Sequence, residues 1–301
     1  MDSRAQPKGS SRVLIVFNPV AGRRRAHLLW RVLDVLVANG VRLDLAETRG
    51  AGHAESLARE AAASGSRLIV AAGGDGTIAE VANGLMGTGA HLGVIPLGTA
   101  NVLAHELGLP FSPKAVAAAL AFGRTTTLWP GIAESPTTKR LFVQMLGVGF
   151  DAHVVRHVSF PMKKLLGKGA YVVCSMMELA RYRYPAIHVR LDDLETSAAS
   201  VIVSKGRFYG GRFQVAAGAV PGEPGFTVIL FDHSGPGAAM MYGAALPLNL
   251  LGRAPGVRRI RANRIDFIGN QPVPAQTDGD PAGCEVFSVT DASGPVQVVT
   301  G

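Results

Sequence analysis

The chain has 301 residues, 48% hydrophobic and 17% charged, which is core enough for two domains and excludes a disordered or fibrous protein. Lysine and arginine total 30 against 22 acidic residues, and the formal charge of +8 points to a polyanionic partner: a nucleotide, a nucleic acid or an acidic membrane face. The two cysteines, Cys174 and Cys284, exclude a disulfide framework, lack metal-ligand spacing, and suit a reducing cytoplasm as ordinary packed thiols.

Residues 1–11 hold no apolar stretch that could serve as a secretory signal and read as a flexible tail. From Arg12 to about Phe122, short β-branched runs alternate with longer helical stretches, the pattern of a parallel sheet with crossover helices. The runs are VLIVF (13–17), VRLDLAE (41–47), RLIVAA (67–72) and LGVIP (92–96). Between the first two, Leu28, Leu29, Val32, Leu33, Leu36 and Val37 recur at helical spacing and predict one buried face. After Thr125 the texture changes to strands joined by glycine and proline turns: LFVQMLGVGF, IHVRL, ASVIVSK, FQVAA, FTVILF, RIDFIG, VFSVT and a final VQVV. That predicts a mostly antiparallel β-domain, interrupted by helical segments at about 162–184 and 237–251. The boundary falls near 124–130, giving domains of 12–127 and 128–301, with the last strand free to return to the first domain. The longest uncharged apolar stretch, 238–251, is shorter than the ~20 residues a spanning helix needs, and Pro247 interrupts it.

GGDGT (73–77) lies between the strand RLIVAA and the helical run TIAEVANGLM. Consecutive glycines let backbone amides approach phosphate oxygens, and a helix N-terminus behind them adds partial positive charge. Asp75 would repel a bare triphosphate, so it suits this loop if it acts through Mg²⁺ or accepts a proton or hydrogen bond from an attacking hydroxyl. The plain alternative is a tight strand-to-helix turn with Asp75 near the helix cap. A G-x-G-x-x-A string (74–79) is a weak dinucleotide signal, because such a fingerprint follows the first strand and this loop follows the third. No P-loop string is present. NPVAG (18–22) and PLGTAN (96–101) follow other strands of the same sheet and should join GGDGT at its carboxyl edge, where open α/β sheets bind ligands. Thr48 ends the second strand at that edge.

In this order and spacing, FNPVAG, GGDGTIAEVANGL and IPLGTANVLAHELGLP resemble the catalytic domain of the diacylglycerol kinase family, which includes bacterial lipid kinases and the sphingosine and ceramide kinases. The resemblance continues through GVGFDAHVV (147–155), KLLGKGAYV (164–172), YGGRFQVAAGA (209–219), PGFTVILF (224–231) and TDGDP (277–281), and so covers nearly the whole chain. GGDGT is shared with NAD kinases; PLGTAN and the late TDGDP point to lipid kinases. The resemblance implies an α/β N-terminal domain with an open parallel sheet of the NAD-kinase/diacylglycerol-kinase type, a β-sandwich C-terminal domain, a nucleotide cleft between them, and ATP with Mg²⁺. Matched by motif, Asn18, Thr48, Gly73, Gly74, Asp75, Gly76, Thr77, Ile78, Ala79, Thr99 and Asn101 fall on nucleotide-contacting positions, with Asp75 also placed to act on ATP-bound Mg²⁺. Asp280 falls where the family usually carries the glutamate of an Asp-Gly-Glu triplet, assigned as proton acceptor. Aspartate is one methylene shorter, and Asp75 and Asp278 compete for the role. At EPGFTV (223–228), relatives often have acidic residues that hold a structural Mg²⁺; only Glu223 is acidic here, which leaves that second metal site open.

The reading is therefore in-line transfer of the γ-phosphate of Mg-ATP to a lipid hydroxyl, with diacylglycerol the first acceptor, by a cytoplasmic protein in peripheral contact with anionic membrane. Nucleic acid is not expected as a partner, and a homodimer is left open. An NAD kinase, or a nucleotide- or lipid-binding module without turnover, stands as the alternative. Arg23, Arg24 and Arg25 read as a solvated helix start, and Asp151 as a structural hydrogen-bond acceptor. No histidine pair of metal-ligand spacing is read among the eight histidines, so a catalytic zinc is not expected. The segment 161–185 mixes apolar residues with Lys163, Lys164, Lys168, Arg181 and Arg183, and could rest on an anionic surface or cover the β-domain as an ordinary amphipathic helix.

Overall fold

The structure is a computed structural model that describes residues 12–22, 25–158, 169–269, 272–283 and 287–301. The tail 1–11, Arg23, Arg24, Cys284 and the basic cluster Lys163, Lys164 and Lys168 lie outside the described residues. Two compact units are present: one holds the chain up to Gly98, Gly108–Thr126 and Val296–Gly301, the other Thr99–Leu107 and Thr127–Pro295. Thr99–Leu107 thus groups with the second unit, although it lies inside the span 12–127 expected for the first domain.

The sheet of the first unit runs β2 (Leu43–Glu47), β1 (Val13–Phe17), β3 (Leu68–Gly73), β4 (His91–Pro96), β20 (Val296–Thr300), β5 (Arg124–Leu128). The pairs β2–β1, β1–β3, β3–β4 and β4–β20 are parallel. Its helices are α1 (Pro19–Gly22), α2 (Ala26–Ala38), α3 (His53–Ala63), α4 (Asp75–Leu85) and α6 (Pro113–Phe122). In β3 every residue after Leu68 is buried, as a parallel strand covered on both faces requires. Leu28, Leu29, Val32 and Leu36 of α2 pack with Ile15, Val70 and Ile95. Val37, expected on that face, is 60% exposed, because it falls about 100° round the helix from Leu36 and off the stripe. Helix α4 rides against α3 at Gly84, where a Cβ would collide with the Glu55 carbonyl and the Ala58 methyl.

In the second unit, one sheet runs β10 (Leu194–Ala198), β9 (Ile187–Leu191), β16 (Ile265–Ile268), β19 (Ser288–Asp291), β6 (Gly131–Glu134), β7 (Lys139–Phe142). The other runs β15 (Val257–Ala262), β14 (Phe226–Phe231), β11 (Ser200–Ser204), β8 (Met145–Val148), β17 (Ala275–Thr277), β18 (Asp280–Gly283). Every neighbouring pair in both sheets is antiparallel. Val189, Ile265 and Val289 from the first sheet meet Val148, Val203 and Val228 from the second in one core, a β-sandwich. The second sheet is covered on its other face too, where Ile202, Ile229 and Phe231 pack with Val215, Ala216 and Tyr242. FQVAA, read as a strand, forms only the short β13 (Phe213–Gln214), paired with β12 (Phe208–Tyr209). Its Val215 and Ala216 are loop residues serving this second core. Helices α5 (Val102–Glu106), α7 (Phe150–His157), α8 (Gly169–Glu178) and α9 (Pro236–Ala245) complete the unit.

Candidate active site

Parallel register places the carboxyl ends of β1, β2, β3 and β4 along one edge of the first unit, with Phe17 opposite Glu47 and Ala72, and Gly73 opposite Pro96. The residues that follow keep the ladder running: Asn18 N–H donates to Ala72 O (3.0 Å), Thr48 N–H to Phe17 O (2.8 Å), and Leu97 and Gly98 N–H to Gly73 O (2.9 and 3.1 Å). Asn18 is a hub. Its Oδ1 accepts from Val20 and Ala21 N–H (3.0 and 3.2 Å), while its Nδ2 donates to Thr77 Oγ1 at 3.0 Å. The loop after β1 is thereby tied to the first turn of α4.

That helix begins at Asp75, with Gly74 as N-cap in extended conformation and no side chain capping it. The first amides of α4 are therefore offered at the sheet edge with the positive end of the helix dipole, a donor set suited to phosphate oxygens. The glycines are needed for close approach. A Cβ on Gly73 would sit 2.5 Å from Thr77 Oγ1, and one on Gly74 would touch Gly98 Cα at 3.4 Å. Gly74, Asp75 and Gly76 are half-buried, as are Asn18 and Thr48, and Thr77 is buried. Ile78 and Ala79, carried into the site by motif, face the core instead, and Ile78 N–H is engaged by Gly74 O at 3.1 Å. They support the loop from behind.

Thr99 and Asn101 belong to the second unit. Thr99 is exposed; Asn101 is buried in left-handed backbone (φ 49°) at the start of α5. Glu106, at the end of that short helix, anchors it: Oε2 accepts from Arg207 N–H (2.8 Å), Phe208 N–H (3.1 Å) and Gln144 Nε2 (3.2 Å), and Oε1 from Arg207 Nε (2.8 Å). Nothing in LAHELGLP marks that role, because all its partners lie far along the chain.

The TDGD sequence forms the β17–β18 hairpin, closed by pairing of Thr277 with Asp280. Asp278 and Gly279 have φ of 49° and 89°, the positive pair that a two-residue type I′ loop requires. The two aspartates have different surroundings. Asp278 accepts from the amides of Val143 (2.7 Å), Gln144 (2.9 Å) and Met145 (2.9 Å), which pins the corner between β7 and β8. LFVQMLGVGF, read as one strand, is split at that corner between the two sheets. Asp280, at the start of β18, is exposed.

Behind the hairpin, Gln276 donates Nε2 to Asp151 Oδ2 (2.9 Å) and accepts Gly279 N–H at Oε1 (2.8 Å), and the Tyr209 hydroxyl donates to Asp151 Oδ1. Burial raises the Asp151 carboxyl above its usual range against the lowering effect of these two bonds, and burial followed by the Asp151 charge pushes the Tyr209 phenol well up. Asp151 is a structural acceptor, as its sequence context suggested.

A second Mg²⁺ site at 223–228 does not fit. Lys205, whose side chain is fully buried, donates from Nζ to Glu223 O (3.0 Å), Gly225 O (2.9 Å) and Asp291 Oδ1 (2.7 Å), with the Phe226 ring centroid 4.6 Å away. An ammonium group already satisfies those oxygens, and a divalent ion beside it would meet like charge. The Glu223 carboxylate turns instead to Arg261 at 3.3 Å. One further feature escaped the sequence reading: HVVRH is an H-x-x-x-H pair, His153 and His157, which the expectation of no histidine pair overlooked. Among the described residues, no helix is long and apolar enough to cross a membrane.

Comparison with known proteins agrees with this architecture. The description "Diacylglycerol kinase catalytic domain" matches residues 12–130, and "YegS C-terminal NAD kinase beta sandwich-like domain" matches residues 144–299. A probable lipid kinase YegS-like of Pseudomonas putida is 34% identical over 155 residues, 49% of this chain and 49% of that one, so the chain spans about half that relative's length. A counterpart of the same name from Chromohalobacter salexigens is 28% identical over 243 residues, 78% of this chain and 76% of that one. A diacylglycerol kinase of Bacillus subtilis is 34% identical over 189 residues, 60% of each chain. A solved Bacillus anthracis structure shares the fold with a TM-score of 0.79 at 21% identity, over 100% of this chain and 98% of that one. Since the second description alone covers more than half of the chain and the first most of the remainder, the chain belongs to the diacylglycerol kinase and YegS-like lipid kinase family.

Proposed function

We propose that this protein transfers the γ-phosphoryl group of ATP to a lipid hydroxyl, with diacylglycerol as the first acceptor and phosphatidic acid as product. The observation that carries the reading is the uncapped N-terminus of α4 at the shared carboxyl edge of the first unit's strands, flanked by Asn18, Thr48 and the glycines at 73, 74 and 76. These amides and hydroxyls bind phosphate oxygens and offset charge on the phosphoryl group in flight. Asp75 would hold ATP-bound Mg²⁺, which supplies charge neutralisation at the phosphates. As the acceptor oxygen bonds to the γ-phosphorus, the bond to the β,γ-bridging oxygen breaks, ADP leaves and the hydroxyl proton passes to Asp280. Its exposure favours Asp280 over Asp278, whose oxygens already take three amides.

Contact with an anionic membrane completes the proposal. Helix α8 leaves Val172, Val173, Met176 and Met177 exposed, and exposed Arg181 and Arg183 follow it. Such an apolar strip beside cations suits a headgroup boundary. The deciding experiment supplies radiolabelled ATP with a mixed lipid panel and NAD, and follows the label. Label in an organic-phase phospholipid is expected, strongest with diacylglycerol; label in NADP, or in nothing, overturns the reading. Vesicle flotation should rise with anionic lipid and weaken with salt, and salt-independent binding would remove the membrane part.

A further inference from the structure

Helices α7 and α8 pack through Val154, Val158, Ala170 and Cys174, and beside this contact three metal-ligating side chains converge. His153 and His157 stand one turn apart on α7, and Glu178 ends α8. His153 Nε2 lies 2.9 Å from Glu178 Oε2, the two imidazole centroids are 4.2 Å apart, and one ligand atom from each of the three residues lies within 4.8 Å of the others. We propose that His153, His157 and Glu178 bind a divalent transition-metal ion of the zinc class, at a site that uses no residue of the phosphoryl-transfer machinery.

Three features support this. The ligand set is two imidazoles and one carboxylate, which suits zinc and its neighbours rather than Mg²⁺ or Ca²⁺, whose ligands are oxygens. The orientation is already set: His157 Nδ1 is bonded to His153 O at 2.8 Å, the second bond by which a liganding histidine is commonly fixed, so its proton sits there and Nε2 carries the lone pair. Arg181 takes Glu178 Oε1 at 3.0 Å and leaves Oε2 turned toward His153. The fit is also close. Ligand atoms about 2.1 Å from zinc at a tetrahedral angle are about 3.4 Å apart, so the 2.9 Å pair needs to open by about half an ångström and separations of up to 4.8 Å to close by about 1.4 Å, within reach of side-chain rotation. A purely structural His153–Glu178–Arg181 network would explain two of the three ligands; exposed His157 adds a ring contact, a bond to its own helix carbonyl and an electrostatic attraction to Glu178, which sets a second imidazole beside the same carboxylate. Three protein ligands leave a fourth position for water.

The test uses the full chain, stripped with a chelator and carrying no histidine tag. Zinc chloride is titrated against a chromophoric zinc indicator, and thermal melting is followed with and without one equivalent of zinc. One zinc per chain and a raised melting temperature are expected. His157→Ala should weaken binding at least about tenfold while leaving the melting temperature of the metal-free protein unchanged, since that ring is exposed. His153→Asn should weaken it as well, and cobalt substituted for zinc should give the visible absorption of a low-coordinate site that is lost in His157→Ala. Failure of the wild type to take up stoichiometric zinc, or zinc affinity unchanged in His157→Ala, would overturn the proposal. Kinase turnover plays no part in these readouts, so they stand apart from the fate of the phosphoryl-transfer reading.

Discussion

Asp278 and Asp280 are two positions apart, and the hairpin turn between them gives their carboxylates separate surroundings. Replacing Asp278 by alanine leaves three backbone amides without their acceptor, and a cost of about 2 kcal/mol is expected from the midpoint of urea unfolding. Asp280→Ala should leave that midpoint in place and lower kcat about a hundredfold with ATP affinity nearly unchanged, since a proton acceptor acts in the transition state. Turnover above a tenth of wild type in Asp280→Ala would pass the base role to another group. Asp75→Asn should abolish transfer with little change in melting temperature, because an isosteric change at a half-buried helix start opens no cavity. Lys205 bears on metal dependence. Its ammonium fills the oxygen cage at 223–225 and Asp291, so EDTA should not lower the melting temperature of the wild type through this cage. Lys205→Met strands the Asp291 carboxylate and should cost about 3 kcal/mol. EDTA-sensitive melting that persists in the His157→Ala variant would put a metal back in the cage.

Among the elements, those most legible in the sequence are the ones whose signal is local. RLIVAA and LGVIP read as strands because parallel strands covered on both faces are apolar throughout, and IHVRL because its alternation matches a sheet with one face in the core. Edge and near-edge strands escaped for the opposite reason: RTTTL, LETSA and VRRIRA are too polar to show a buried face. The break in LFVQMLGVGF could not be seen locally, since the carboxylate that pins Val143 lies 135 positions away. Likewise the glycine loop at 73–77 was legible as a motif, but not its bond from Asn18 to Thr77, which spans 59 positions. That bond gives the two glycines unequal weight. Gly73→Ala would drive a methyl into Thr77, disturb the Asn18 contact, cost about 1–3 kcal/mol as overpacking and raise the KM for ATP. Gly74→Ala meets only Gly98 at ordinary contact distance and should be the milder change in melting temperature. The reverse order would mean that Thr77 is not held as described.

At the scale of the whole molecule, the first unit is not complete until the end of the chain is in place. Strand β20 lies between β4 and β5, and it comes from the far side of the entire second unit in sequence. The bulk of the parallel sheet can form early from neighbouring segments, whereas its closure waits on the pairing of Gln297 with His91, a contact of large sequence separation, which slows folding. Val296, Val298 and Val299 of β20 are buried, and each buried valine contributes roughly 1.5–3 kcal/mol. Deleting 296–301 therefore removes stabilisation comparable with the net stability of a small domain, bares the hydrogen-bonding row of β4 and takes away the neighbour that joins β5 to the sheet. The expected result is loss of ATP binding with the far-UV signature of the antiparallel sandwich retained, because no strand of either sandwich sheet lies within the deleted residues. A deletion variant that binds ATP and melts like the full chain would show that the sheet closes without its last strand.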